Sequence, residues 1–262
     1  MGKANGMLAY VGLVLGAAIV GWAHTSMGGN LGMFLQPEAI IVVFGGTAAA
    51  LVVSFPAPAL WSALDGVREL FRHSPAPLES LVPAFTAYAR KARKHGLASV
   101  EREIDGSLDP FLSRALSLSV LGLPVPVMRE ALEIDARVLA EREEERAQVL
   151  EAAAGYAPTL GIVGAVLGLM RVMQHFTAAD GVGAGIAAAF VATIFGIGAA
   201  NLLFLPLATR LRARARQEAL RRELVIDGVL GLRDGASPGV LEERLAGYLT
   251  LGRPTTSYAE VA

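Results

Sequence analysis

Four stretches of the chain contain no Asp, Glu, Lys or Arg: residues 4–37, 39–64, 152–170 and 181–209. Each is at least 19 residues long, against the roughly 20 that a helix needs to cross the hydrocarbon core of a bilayer. The pattern predicts four transmembrane helices, at about 7–24, 37–55, 155–174 and 185–208. The joint at 25–36 is rich in Gly and Asn, and the joint at 176–184 carries one charge, Asp180. Pro56 and Pro58 are expected to end the second span, because proline has no amide hydrogen to donate. The polar segments between and after the spans read as helices too. One covers 78–95 and stops at Gly96, and a break follows around 106–110. A long helix over 124–154 then runs without a clear stop into the third span, with Glu141, Arg142, Glu145 and Arg146 able to pair at helical spacing. Residues 211–234 continue the fourth span until Gly235. Ser237-Pro238 opens a short amphipathic helix to 251, and 252–262 form a loose tail. The chain thus divides into a hairpin (1–56), a helical insert (57–154), a second pair of spans (155–208) and a helical tail (209–262).

Basic residues orient this arrangement. Arg68 and Arg72 follow the second span, and Arg210, Arg212, Arg214, Arg216, Arg221 and Arg222 follow the fourth, while both short joints hold no Lys or Arg. The insert, the tail and both termini are therefore expected on the cytoplasmic side. The first apolar run is long and lacks an Ala-x-Ala cleavage pattern, so it reads as a retained helix rather than a signal peptide.

Composition agrees. Of 262 residues, 53% are hydrophobic, only 18% are charged and 29 are glycine, with a mean hydropathy of +0.49. A soluble domain of this length carries more charge and less glycine. There are no cysteines, and the four histidines (24, 73, 95, 175) lie far apart. No nucleophile, metal cluster or phosphate loop can be assembled from these residues, so neither an enzyme nor a cofactor is expected.

Helices in lipid associate through small residues that let backbones approach. The third span offers Gly161, Gly164 and Gly168; the fourth offers Ala188, Ala192, Gly196 and Ala200, one per turn; the first adds Gly12 and Gly16. These stripes favour a tightly packed bundle or oligomer. The notable polar side chains of the third and fourth spans are Thr159, Thr193 and Asn201, with Arg171 and His175 near the outer end of the third. A cation path normally needs an ionisable group in the bilayer. If this chain moves cations, the titrating carboxylate belongs to another chain. Pro158 and Pro206 sit at the cytoplasmic ends of the two spans, where the plain reading is helix punctuation.

Several segments together resemble a known family. Tyr156 to Gly168 is similar to the third helix of the flagellar stator A subunits of the MotA/PomA type, in the MotA/TolQ/ExbB proton channel family. Ala189 to Gly196, with Asn201 and Pro206, resembles their fourth. Gly28 to Pro37 with Gly45-Gly46 resembles their first hairpin, and Gly228 to Gly235 with Pro238, Glu243 and Leu245 their last cytoplasmic helices. The resemblance covers about 7–251 in order. It implies an all-α polytopic membrane protein, with four transmembrane helices and a helical cytoplasmic domain, in a ring-shaped oligomer. It further implies that five copies surround a dimer of a single-span, peptidoglycan-binding B subunit whose aspartate accepts the ion, in the bacterial inner membrane.

Residue roles follow from the same resemblance. Pro158 and Pro206 fall on the prolines that couple ion binding to movement of the cytoplasmic domain, and Thr193 on the threonine beside the ion path. Thr159, Gly161 and Ala165 share that path, and Gly164, Gly168, Gly196 and Ala200 pack the helices. Sodium-driven members place a threonine where this chain has Ala165, so the expected ion is a proton, with sodium the alternative. Arg93 and Glu101 fall on the charged pair that faces the rotor C-ring protein FliG, with Arg90, Lys94 and Glu103 beside them. Without the resemblance, bases at a helix C-terminus simply complement its dipole, worth a few tenths to about 1 kcal/mol. The main rival is an ExbB/TolQ-like energiser of an outer-membrane process, which has three membrane helices and a different insert position. A self-sufficient transporter is disfavoured by the missing intramembrane acid.

Overall fold

The computed structural model describes residues 2–72, 77–104, 109–174 and 179–251. The predicted break near Gly106, His73, His175 and the tail beyond 251 lie outside the described residues. No strand occurs among the described residues. The helices are α1 (Gly2–Ser26), α2 (Pro37–Ser54), α3 (Ala57–Arg72), α4 (Leu81–His95), α5 (Leu97–Ile104), α6 (Pro110–Val120), α7 (Val125–Gln174), α8 (residues 179–233) and α9 (Pro238–Leu251). Two of these contain a widened π turn: Ile41–Gly45 in α2 and Ala199–Phe204 in α8.

Among the described residues, three helices are long and apolar enough to cross a membrane, namely Pro37–Ser54, Val125–Gln174 and the Gly185–Arg233 part of α8. The apolar stretch of α1, Tyr10–Ser26, is shorter. The expected runs of the third and fourth spans into polar helix are present, since α7 is 50 residues long and α8 continues to Arg233. Pro58 corrects one expectation. The chain breaks at Phe55, which is extended, and Pro58 then lies in the first turn of α3, where its missing amide costs nothing.

The residues divide into two compact units, one of 1–74 with 143–213, the other of 75–142 with 214–262. The first carries the membrane-crossing stretches. Its outer side chains are large and apolar: Val14, Trp22, Val53, Phe190 and Met173 are all at least two-thirds exposed. Patches of that extent on a water-soluble monomer are rare, and lipid or neighbouring subunits suit them. At its polar end Ala147, Leu150, Leu207, Ala208 and Leu211 pack with Val67 and Phe71 of α3. Arg146 departs from the pairing expected along its own helix. It reaches Glu69 at 3.5 Å and donates to the Ser62 hydroxyl at 2.8 Å, both on α3.

The second unit has a conventional dry core of Phe85, Leu116, Met128, Leu132, Leu224, Val229, Leu241 and Leu245. Its termini are well specified. Asp109 caps α6 by accepting from the Phe111 and Leu112 amides at 3.0 and 3.2 Å, with Pro110 in the first turn. Gly96 ends α4 and Gly235 ends α8, both at positive φ as their sequence context predicts. At Gly235 the Ala236 amide returns to the Gly231 carbonyl, a Schellman closure. A Cβ on Gly228 would stand 2.6 Å from the Phe85 ring, so only glycine lets α8 lie on that ring.

Candidate functional site

The third and fourth apolar helices meet along a seam of glycines. A Cβ on Gly161 would lie 2.9 Å from the Ala192 carbonyl oxygen and 3.2 Å from the Gly196 Cα. One on Gly196 would lie 2.5 Å from the Ala157 oxygen and 3.2 Å from the Pro158 Cα. Higher along the seam, a Cβ on Gly164 would lie 2.8 Å from the Ala192 methyl, and one on Gly168 would lie 3.0 Å from the Ala189 amide nitrogen. The backbones of α7 and α8 are therefore in contact over several turns, the close approach that small residues permit in lipid. Helix α2 closes one side: Ala39 and Val43 are buried with Val191 and Ala192, and Gly46 meets Leu160. Ala200 is buried farther along α8.

Five predicted residues, Pro158, Gly161, Gly164, Thr193 and Gly196, thus come together at one contact. Neither proline ends a helix, which corrects their reading as punctuation. Pro158 lies inside α7, and its missing amide leaves the Ala154 carbonyl without its usual helical donor. Pro206 lies two residues past the π turn of α8, where the Leu205 amide reaches back to Ala200 and Asn201 donates its side-chain amide to the Ile197 carbonyl at 2.9 Å. Pro206, Asn201, Arg210, Gly12 and Leu202 line an opening of about 280 Å³.

The hydroxyls of the seam are turned on their own helices. Thr193 donates to the Ala189 carbonyl at 3.2 Å, and Thr159 to the Tyr156 carbonyl at 2.8 Å. Ala165 is half-buried and offers no oxygen beyond its backbone. Two hydrogen bonds made by side-chain hydroxyls went unforeseen in the sequence. Thr47 is buried in α2 and donates to the Val43 carbonyl at 2.6 Å. The Tyr156 and Ser54 hydroxyls share a hydrogen bond of 2.8 Å between α7 and α2. Arg171 approaches Glu38 at 3.8 Å, both of them exposed.

Beyond the prolines, Arg212 on α8 forks between Glu144 and Glu151 on α7. Its Nε donates to the two Glu144 oxygens at 2.9 and 3.3 Å, its Nη2 to Glu144 and Glu151 at 2.6 and 2.9 Å, and its Nη1 to Glu151 as well. Hydrogen bonding to Arg212 holds the Glu151 carboxyl below its ordinary pKa, and the two carboxylates raise that of Arg212. These residues were missed in the sequence as partners, since nothing local relates position 212 to 144.

The predicted rotor-facing residues divide. Arg90, Arg93 and Lys94 are exposed on the last turns of α4. Arg90 and Lys94 line a shallow groove with Ala87, Lys91 and His95. Glu101 and Glu103 lie on α5, directly after the Gly96 turn, and their side chains are outside the described set.

Residues 103–224 match the MotA/TolQ/ExbB proton channel family. The chain is 34% identical over 244 residues to Motility protein A of Bacillus subtilis, covering 93% of this chain and 88% of that protein. It belongs to that family. Chemotaxis protein PomA of Vibrio alginolyticus is 32% identical, with 93% of this chain and 95% of PomA covered. Among solved structures, the C. jejuni MotAB structure superposes with a TM-score of 0.87 at 26% identity, covering 96% of this chain and 99% of that one. The flagellar MotAB stator complex of Bacillus subtilis gives a TM-score of 0.83 at 33% identity, covering 92% and 94%. The seam glycines and both prolines of this family member lie within 103–224.

Proposed function

We propose that this chain is the ion-conducting A subunit of a flagellar stator, converting ion flow across the membrane into torque on the rotor. The observation that carries this reading is the end-to-end likeness to the two MotAB structures. The likeness of nearly the whole chain to proteins named for motility and chemotaxis favours this role over an ExbB/TolQ-like energiser.

α1 and α2, with the apolar parts of α7 and α8, form four spans in the bacterial inner membrane, both termini in the cytoplasm. The absence of Lys and Arg from the outer joints supports this orientation. Five copies form a ring around a B-subunit dimer. The absence of any Asp or Glu from 152–170 and 181–209 supports an acceptor carboxylate lent by that partner. The seam of α7 and α8 lines the path, with Thr159, Ala165 and Thr193 beside it, and Pro158 and Pro206 let the two helices flex as the carboxylate changes charge. Arg90, Arg93 and Lys94, with Glu101 and Glu103, meet FliG of the rotor. A proton needs only the carboxylate, whereas sodium needs several oxygens in place of its hydration shell, and Ala165 supplies none. The protein is a transporter-like machine, with no cofactor and no chemistry of its own.

The test is complementation. Expressed with its B-subunit partner in a cell lacking its own stator, the chain should restore rotation of tethered flagella. Rotation that returns without the partner would sink the lent-carboxylate reading, and no rotation with it would sink the stator reading.

A further inference from the structure

The Arg212 fork occupies a particular place along both helices. Glu151 lies seven residues before Pro158, and Arg212 lies six residues after Pro206. Residues 143 and 213 are the last of the first compact unit on α7 and α8. Both helices are therefore tied together just where they leave that unit, beyond the proline in the interior of each, Pro158 and Pro206. Glu144 and Glu151 are two turns apart on one face of α7, so one planar guanidinium can engage both at once. Arginine suits this role and lysine does not, because an ammonium cannot present a five-donor fork to two carboxylates.

We infer that Arg212 is a positioning residue that clasps α7 to α8 beyond the two prolines, so that a displacement begun at the seam moves the two cytoplasmic continuations as one lever. The inference rests on the stator reading. Each helix has a weakened rung at its proline, and two helices hinged separately would each absorb part of a small displacement. Joined by five charge-assisted hydrogen bonds, they turn together. The seam itself holds none of the three residues, so breaking the clasp leaves the ion path intact. The clasp governs how much motion arrives per ion, and leaves the passage of ions unchanged.

The experiment expresses the full chain with its B subunit in stator-less cells. It measures tethered-cell torque, cytoplasmic acidification through the stator, and the amount of chain in the membrane. Wild-type chain that gives no torque refutes the stator reading itself. With wild type active, Arg212→Gln should keep the ion flux while torque per ion falls about tenfold, the scale of losing a charge-assisted network. Arg212→Lys should fall between the two, and Glu144→Gln with Glu151→Gln should match Arg212→Gln. Unchanged torque in Arg212→Gln overturns the inference. So does a parallel loss of flux and torque at normal membrane level, which would place Arg212 in the ion path. Loss of the chain from the membrane in Arg212→Gln and the double glutamine variant alike also overturns it, by making the fork a folding element.

Discussion

Gly196 lies against Gly161 so closely that a Cβ on Gly196 would stand 3.0 Å from the Gly161 Cα. The same Cβ would meet the Ala157 carbonyl oxygen at 2.5 Å. Backbone cannot yield as a flexible side chain does, so Gly196→Ala must push α7 and α8 apart. Overpacking of this kind costs about 1–3 kcal/mol. The variant should lower the thermal unfolding midpoint of the purified stator and abolish rotation. Gly12→Ala is the matched control, since nothing lies within 4 Å of its Cβ position, and it should leave both readouts near wild type.

Arg93 stands exposed at the end of α4 with Arg90 and Lys94. Exposed charges steer a partner more than they stabilise the fold. Arg93→Glu should impair swimming while leaving the free energy of unfolding within about 0.5 kcal/mol of wild type. A compensating charge reversal on the rotor protein should restore part of the motility. Full swimming by the single variant would remove Arg93 from the rotor contact.

On the proposed reading, Ala165 gives no hydroxyl to the ion path. Torque should therefore persist when sodium is replaced at constant pH, and should fall when the proton gradient is collapsed. Rotation that stops on sodium removal would reverse the ion assignment.

Tyr248 on α9 donates to Asp227 at 2.7 Å, and Asp227 also accepts from Arg129 at 3.4 Å and Arg244 at 3.1 Å. Burial first, and then the Asp227 hydrogen bond, push the Tyr248 phenol above its ordinary pKa. A group whose folded pKa is raised gives stability that is complete below the unfolded value, about 10 for tyrosine. That stability is lost as pH rises through the folded value. The purified stator should lose thermal stability above about pH 10, and Tyr248→Phe should flatten that decline while costing about 1 kcal/mol at neutral pH. Identical alkaline slopes in the two proteins would contradict the assignment.

Much of the fold is legible in the chain because single-segment physics decides it. Apolar runs as long as those at 152–170 and 181–209 have one stable state in lipid, and glycines such as Gly96 and Gly235 stop helices by local φ alone. The unbroken passage of 124–154 into the next span is readable for the same reason, since after Pro126 in the first turn no proline or glycine pair interrupts it before Pro158. The seam was legible as small residues in a stripe, though its pairings were not. That Gly161 meets Ala192 and Gly196 depends on the register of two helices, which no local pattern encodes. The Arg212 fork was hidden for that reason, and so was the turn of Arg146 toward α3 rather than along α7. The π turns in α2 and α8 went unseen because a widened turn has no composition of its own, although Gly45-Gly46 and Pro206 stand beside them.

The proline in the interior of α7 has a mechanical meaning. A rod made of repeated identical bonds resists bending equally everywhere, and distributes any load along its whole length. Remove one rung, as Pro158 does at the Ala154 carbonyl, and curvature gathers at that notch. The stretches on either side stay stiff, so a bend of given size has only one place to occur. A motor part notched in this way would repeat the same stroke each cycle, because its geometry leaves no second joint to choose.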